Sequence, residues 1–189
     1  RATPSHFLET KTGTMLLDAG ADAAHRMAEE GLDWPNLDAI WISHFHLDHM
    51  GGLTPFLFGT KWAPQTQSRT RPLRIFGPRG LRGLVETVSN SNNYELLKQP
   101  FEVEIVEVDP AQDFTLFPGI AATTWKTPHT DESLALRLKD EESKIFVYSS
   151  DTGFSEDFCP FAKHANLLLM ECSFRRNKPV AIHLELAEA

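Results

Sequence analysis

The sequence predicts a layered α/β fold with sheets in the middle and helices outside, and three observations point there. Strand-like segments alternate with helix-like ones early in the chain, and strands follow one another in series later. The residues best suited to chemistry stand just past predicted strands: Asp18, the run His44 to His49, His129 and Asp151. In open α/β sheets, ligands gather at the carboxyl ends of the strands. The 189 residues, 41 % hydrophobic, suffice for one sizeable core and are read as a single domain, 1–189.

Each element has its own local reason. "TMLLD" (14–18) is a short apolar run that ends at Asp18-Ala19-Gly20, a strand meeting a turn. "ADAAHRMAEEGL" (21–32) places Ala24, Met27 and Ala28 at helical spacing, with Gly31 where a helix should stop. "WPN" (34–36) reads as a turn, and "LDAIWIS" (37–43) as a buried strand running into the histidines. After Gly51-Gly52, "LTPFLFGTKWA" (53–63) predicts a helix with Pro55 in its first turn. The polar stretch 63–72 is a loop, 73–78 a strand and turn, and 80–93 a helix fraying into polar residues. "FEVEIVEVD" (101–109) alternates apolar residues with acids, as a half-exposed strand does. Two strands are expected around Pro118-Gly119, with further strands at 133–140, 144–150 and 166–173. "HLELAEA" (183–189) reads as the start of a helix.

Composition excludes some classes. No apolar run approaches the roughly 18 residues of a membrane helix. A formal charge of -8 argues against a general nucleic-acid-coating surface. The charge is uneven, however. Met50 to Val85 contains no carboxylate but carries Lys61, Arg69, Arg71, Arg74, Arg79 and Arg82, a candidate patch for an anionic substrate or a solvated face. Cys159 and Cys172 give no disulfide framework; two reduced, part-buried thiols fit a cytoplasmic setting. The sequence opens at Arg1 and stops inside an apparent helix at Ala189, so trimming at both ends is expected.

"ISHFHLDHMGG" (42–52) spends three of the eight histidines within six positions. His44 and His46 are two apart, so an extended segment points them the same way. Asp48 and His49 follow where the chain can turn, and Gly51 and Gly52 permit a close approach of backbone. Imidazole and carboxylate donors suit zinc, with iron or manganese as alternatives. His129 in "KTPHT" and Asp151 in "VYSSDTG" each follow a strand, and His183 opens the last expected helix. His6, His25 and His164 lack such context and are read as structural or surface residues.

Together these residues resemble the metallo-β-lactamase fold superfamily of metal-dependent hydrolases. The likeness is His-x-His-x-Asp-His at 44–49, then His129 and Asp151, with "LLDAG" (16–20) similar to the first Asp motif. It implies a four-layer αββα sandwich and two divalent metal ions. His44, His46 and His129 would hold one ion, Asp48 and His49 would help to hold the other, and Asp151 would bridge both. Asp18 would support the loop by hydrogen bonds without ligating. True β-lactamases of this fold often use Cys where Asp151 stands, whereas "TPHTDESLALRL", "YSSDTG" and "HLELAEA" look more like the ribonuclease Z and cyclic phosphodiesterase branch. In that branch the counterpart of His183 lies near the scissile phosphate.

The resemblance therefore implies a phosphodiesterase that attacks phosphorus with a metal-held hydroxide. Asp48 and His183 are the catalytic candidates, His183 as general acid. A small anionic phosphodiester or an RNA end would be the substrate, a homodimer is compatible with the family, and no membrane partner is implied. Two departures stand against full tRNA processing. A hairpin fills the interval from His129 to Asp151 and leaves no room for a tRNA-gripping arm there. The family's last His ligand would lie beyond Ala189. Thioester or lactone hydrolysis, and a catalytically silent metal-binding domain, are the alternative readings.

Overall fold

The computed structural model describes residues 3–189. They fall into two compact units, one ending at Glu107 and the other beginning at Val108.

The first unit is built on five strands: β1 (His6–Glu9), β2 (Thr14–Leu17), β3 (Ala39–Trp41), β4 (Leu73–Pro78) and β5 (Val103–Val108). They lie in the order β1-β2-β3-β4-β5. β1 and β2 form an antiparallel hairpin, whereas β2, β3 and β4 run parallel. Helices α1 (Ala23–Glu29), α2 (Leu47–Met50), α3 (Leu53–Trp62) and α4 (Leu81–Asn90) lie between them in the chain. Central parallel strands are covered on both faces, so their sequences are apolar runs without alternation. Leu16, Ile40, Ile42, Leu57, Leu73 and Ile75 accordingly share one core, each at most 2 % exposed. At about 2–5 kcal/mol for truncating such a side chain to alanine, this core dominates the unit's stability. Register Leu17↔Trp41 sets Asp18 and Ser43 past the same ends of β2 and β3.

Gly80 has no side chain to cap α4 and sits at φ 97°. Glu107, from β5, serves instead: its Oε1 accepts the Gly80 and Arg82 N–H groups at 2.8 and 3.0 Å. A carboxylate there also complements the positive end of the helix.

The second unit carries β6 (Asp113–Phe117), β7 (Ile120–Lys126), β8 (Leu134–Lys139), β9 (Ile145–Tyr148) and β10 (Leu167–Leu169), ordered β10-β9-β8-β7-β6. β6 to β9 form an antiparallel meander, including the expected β8–β9 hairpin, and β10 runs parallel to β9. The parallel step requires a crossover, supplied through α5 (Phe158–Ala162), whose Phe158 packs on Ala135 and Val147.

The expected helix over 183–189 does not form. The Leu184 N–H donates to Glu171, and the Leu186 N–H to the Phe174 carbonyl, so these backbone donors are taken by distant partners. Phe174 and Glu185 make an isolated parallel bridge, followed by one turn closed by Ala189 N–H to Glu185 O at 3.2 Å. Three elements escaped the sequence reading. β1 is only four residues long, α2 lies inside the histidine run, and α5 has a proline at its third position.

Candidate functional site

In the first unit the site begins where β2 ends. Asp18 adopts φ 58°, a left-handed conformation that Asp tolerates better than most residues. Its carboxylate is fully buried and accepts three hydrogen bonds: Ser43 N–H at 2.7 Å, Ser43 Oγ–H at 2.8 Å and His49 Nδ1–H at 2.7 Å. The backbone is tied as closely, with Ala19 N–H to His49 O at 2.6 Å and Gly52 N–H to Ala19 O at 2.8 Å. A Cβ at Gly52 would lie 2.0 Å from the Gly20 oxygen, so no other residue fits without displacing the backbone.

The motif changes conformation halfway. His46 is extended (φ -63°, ψ 141°), and the single turn of α2 starts at Leu47. The His44 and His46 rings are 4.6 Å apart between centroids, and His44 and His49 4.2 Å. His44 and His49 are buried, whereas Asp48 is 57 % exposed with Oδ2 3.8 Å from His49 Nε2. Because Asp18 accepts a hydrogen bond from Nδ1–H of His49, the lone pair of the neutral ring is on Nε2, the form a cation requires.

The second unit assembles the rest around two strand ends. The His129 side chain is fully buried, and its Nδ1–H donates to Ile182 O at 2.9 Å. Its Nε2 lies 3.8 Å from Asp151 Oδ2, wider than a hydrogen bond and suited to two donors facing one cation. One donor atom from each of His129, Asp151 and His183 lies within 4.8 Å of the others. Gly153 makes this possible: its N–H bonds Pro128 O at 3.0 Å, and a Cβ there would meet Ala181 O at 2.3 Å.

Glu171 is the residue that sequence reasoning missed. Its Oε1 accepts the His183 Nδ1–H at 2.9 Å, its Oε2 accepts Leu184 N–H at 2.8 Å, and its own N–H bonds Ser149 Oγ at 2.8 Å. The signal was available, since Glu171 follows "NLLLM" as Asp18 and Asp151 follow their strands.

Part of the basic stretch is spent on the fold. Arg69 is 8 % exposed and donates to the carbonyls of Pro35, Leu37, Arg71 and Pro72, with its guanidinium 4.5 Å from the Phe101 ring centroid. Lys61 donates to the Tyr94 and Glu95 carbonyls, Arg71 pairs with Asp38 at 2.9 Å, and Arg82 donates to Ile105 O. Burial lowers the Arg69 pKa, with Asp38 opposing that shift. Cys159 and Cys172 are free thiols, exposed instead of part-buried.

Two five-stranded sheets, with imidazoles and carboxylates set just beyond strand ends, define a protein of the metallo-β-lactamase fold. A metallo-β-lactamase fold protein, YhfI from Bacillus subtilis, superposes with a TM-score of 0.79 at 25 % identity, over 100 % of this chain and 72 % of that one. The short form of human tRNase Z superposes with a TM-score of 0.77 at 20 % identity, over 92 % of this chain and 73 % of that one. The model of the anti-Pycsar protein Apyc1 family matches residues 3–189, and the chain belongs to that family. By sequence it is 25 % identical to the probable metallo-hydrolase YhfI of B. subtilis strain 168 over 173 residues, 92 % of this chain. It is also 25 % identical to a ribonuclease Z of Halalkalibacterium halodurans over 228 residues, 94 % of this chain and 71 % of the relative. The chain spans 66 % of the length of that YhfI and 44 % of a Sulfolobus acidocaldarius ribonuclease Z.

Proposed function

We propose that the chain is a metal-dependent phosphodiesterase of the two-metal type. The observation that carries this reading is the motif itself: His44 beside an extended His46, then one helical turn presenting Asp48 and His49. Likeness of ligand order assigns His44, His46 and His129 to one ion, Asp48 and His49 to the other, and Asp151 to both. The donor set of imidazole and carboxylate fits zinc, with manganese or iron as alternatives. Such ions supply Lewis acidity at phosphoryl oxygens and lower the pKa of an attacking water.

The chain's own residues do the rest. Asp18 holds the histidine turn to the preceding strand and fixes the proton of His49. Glu171 holds Nδ1–H of His183, so that when the ring is charged its Nε2–H is the proton available to a leaving oxygen. A positioned general acid of this kind contributes typically about 10²–10⁴-fold. The relatives named ribonuclease Z make an RNA end one substrate class, and a small linear or cyclic phosphodiester is the other. Free thiols at Cys159 and Cys172 accord with a reducing compartment such as the cytoplasm.

The test is to load the protein with zinc or manganese and to assay an aromatic phosphodiester, a cyclic nucleotide, a thioester and a cephalosporin. Phosphodiester turnover is expected. Thioester turnover without it would overturn the reading.

A further inference from the structure

Ser43 is fully buried between Asp18 and His44. Its Oγ lies 2.8 Å from Asp18 Oδ2 and 3.0 Å from His44 Nδ1. A carboxylate has no proton to give, so the contact with Asp18 requires the proton of the Ser43 hydroxyl. A hydroxyl has only one. Ser43 therefore turns a lone pair toward His44 and receives the Nδ1 proton of that ring. In its neutral form His44 is thus the Nδ1–H tautomer, with the lone pair on Nε2.

The same carboxylate oxygen accepts Nδ1–H of His49 at 2.7 Å. One anion consequently sets the protons of two imidazoles, one directly and one through a hydroxyl. We propose that Ser43 is a positioning residue that relays the charge of Asp18 to His44 and fixes the tautomer a metal ligand must have. The proposal rests on the reading of His44 as a ligand. It goes beyond that reading by giving the residue before the motif a task of its own. The Ser43 backbone N–H, 2.7 Å from Asp18 Oδ1, keeps the hydroxyl in line. An alanine there would keep the backbone bond and lose only the relay.

The deciding experiment is a long-range proton–nitrogen spectrum of the imidazoles in the ¹⁵N-labelled, metal-free chain, with a zinc competition titration beside it. His44 should be protonated at Nδ1 in the unaltered protein. In Ser43→Ala its signals should shift toward the Nε2–H form, and zinc affinity should fall by about 10–100-fold. Ser43→Thr, which keeps the hydroxyl, should restore both. If the threonine methyl prevents folding at this buried position, the alanine spectrum decides. A Ser43→Ala protein with Nδ1 still protonated and zinc affinity unchanged would overturn the relay. An unaltered protein that takes up no zinc would overturn the metal-site reading, while its spectrum would still decide where the His44 proton lies.

Discussion

The two units hold comparable donors in opposite ways. The first gathers them within one short segment, 44–49, and steadies that segment with a single buried carboxylate, Asp18, on a mainly parallel sheet. The second draws His129, Asp151 and His183 from three distant stretches around an antiparallel meander, and steadies its histidines separately. A backbone carbonyl holds His129, and a second carboxylate, Glu171, holds His183. Local sequence sets the first arrangement and long-range packing sets the second. The two should therefore fail differently under mutation.

The largest expected effect is at His46. Replacement by alanine should abolish one ion's binding and nearly all activity; elemental analysis showing full metal content would break the ligand assignment. Next comes His183→Ala, expected to lower kcat by about 10²–10⁴-fold with metal content unchanged. Glu171→Gln should lower it in the same direction by less, because the imidazole survives without its anionic partner. Metal loss in either variant would shift His183 from acid to ligand and make the second unit more like the first. Asp18→Asn tolerates the same backbone angle but removes the charge, and should weaken metal affinity by about 10–100-fold. Arg69→Met should cost about 2–4 kcal/mol in denaturant unfolding, since several carbonyls lose a charged donor, and should leave metal content alone.

The smallest effect is one of pH. Burial lowers the pKa of His6 below the ordinary histidine value of 6.5; Asp18 opposes this shift and His49 adds to it. The fold thus favours the neutral ring. That contribution is fully present above about pH 6.5 and is lost as pH falls toward the lower folded-state value. His6→Gln should flatten this part of the stability profile, and an unchanged profile would remove His6 from the account.

The same contrast explains what could be read in the sequence. The strands and the larger helices carry periodic or apolar runs, so most elements were legible. The histidine turn was legible because its donors are close in sequence. Glu171 showed only its place after a strand, because its partner His183 lies across a loop whose path depends on Gly153 and on backbone bonds to Phe174. The 183–189 segment has helical composition, yet its N–H groups serve Glu171 and Phe174. In the basic stretch, formal charge alone does not reveal that the Arg69 guanidinium faces carbonyls while Arg71 and Arg82 stay more than half exposed.

The charge balance of the chain has a kinetic consequence. Arg69 is turned inward onto carbonyls and Arg71 is paired with Asp38, so only part of the stretch is left to draw in an anion. If the substrate is a phosphodiester, as proposed, the formal charge of -8 would repel it at long range. Raising ionic strength screens that repulsion over about a Debye length. Encounter should therefore quicken with salt, and a plot of kcat/KM against ionic strength should rise where an enzyme with an open basic patch would show a fall.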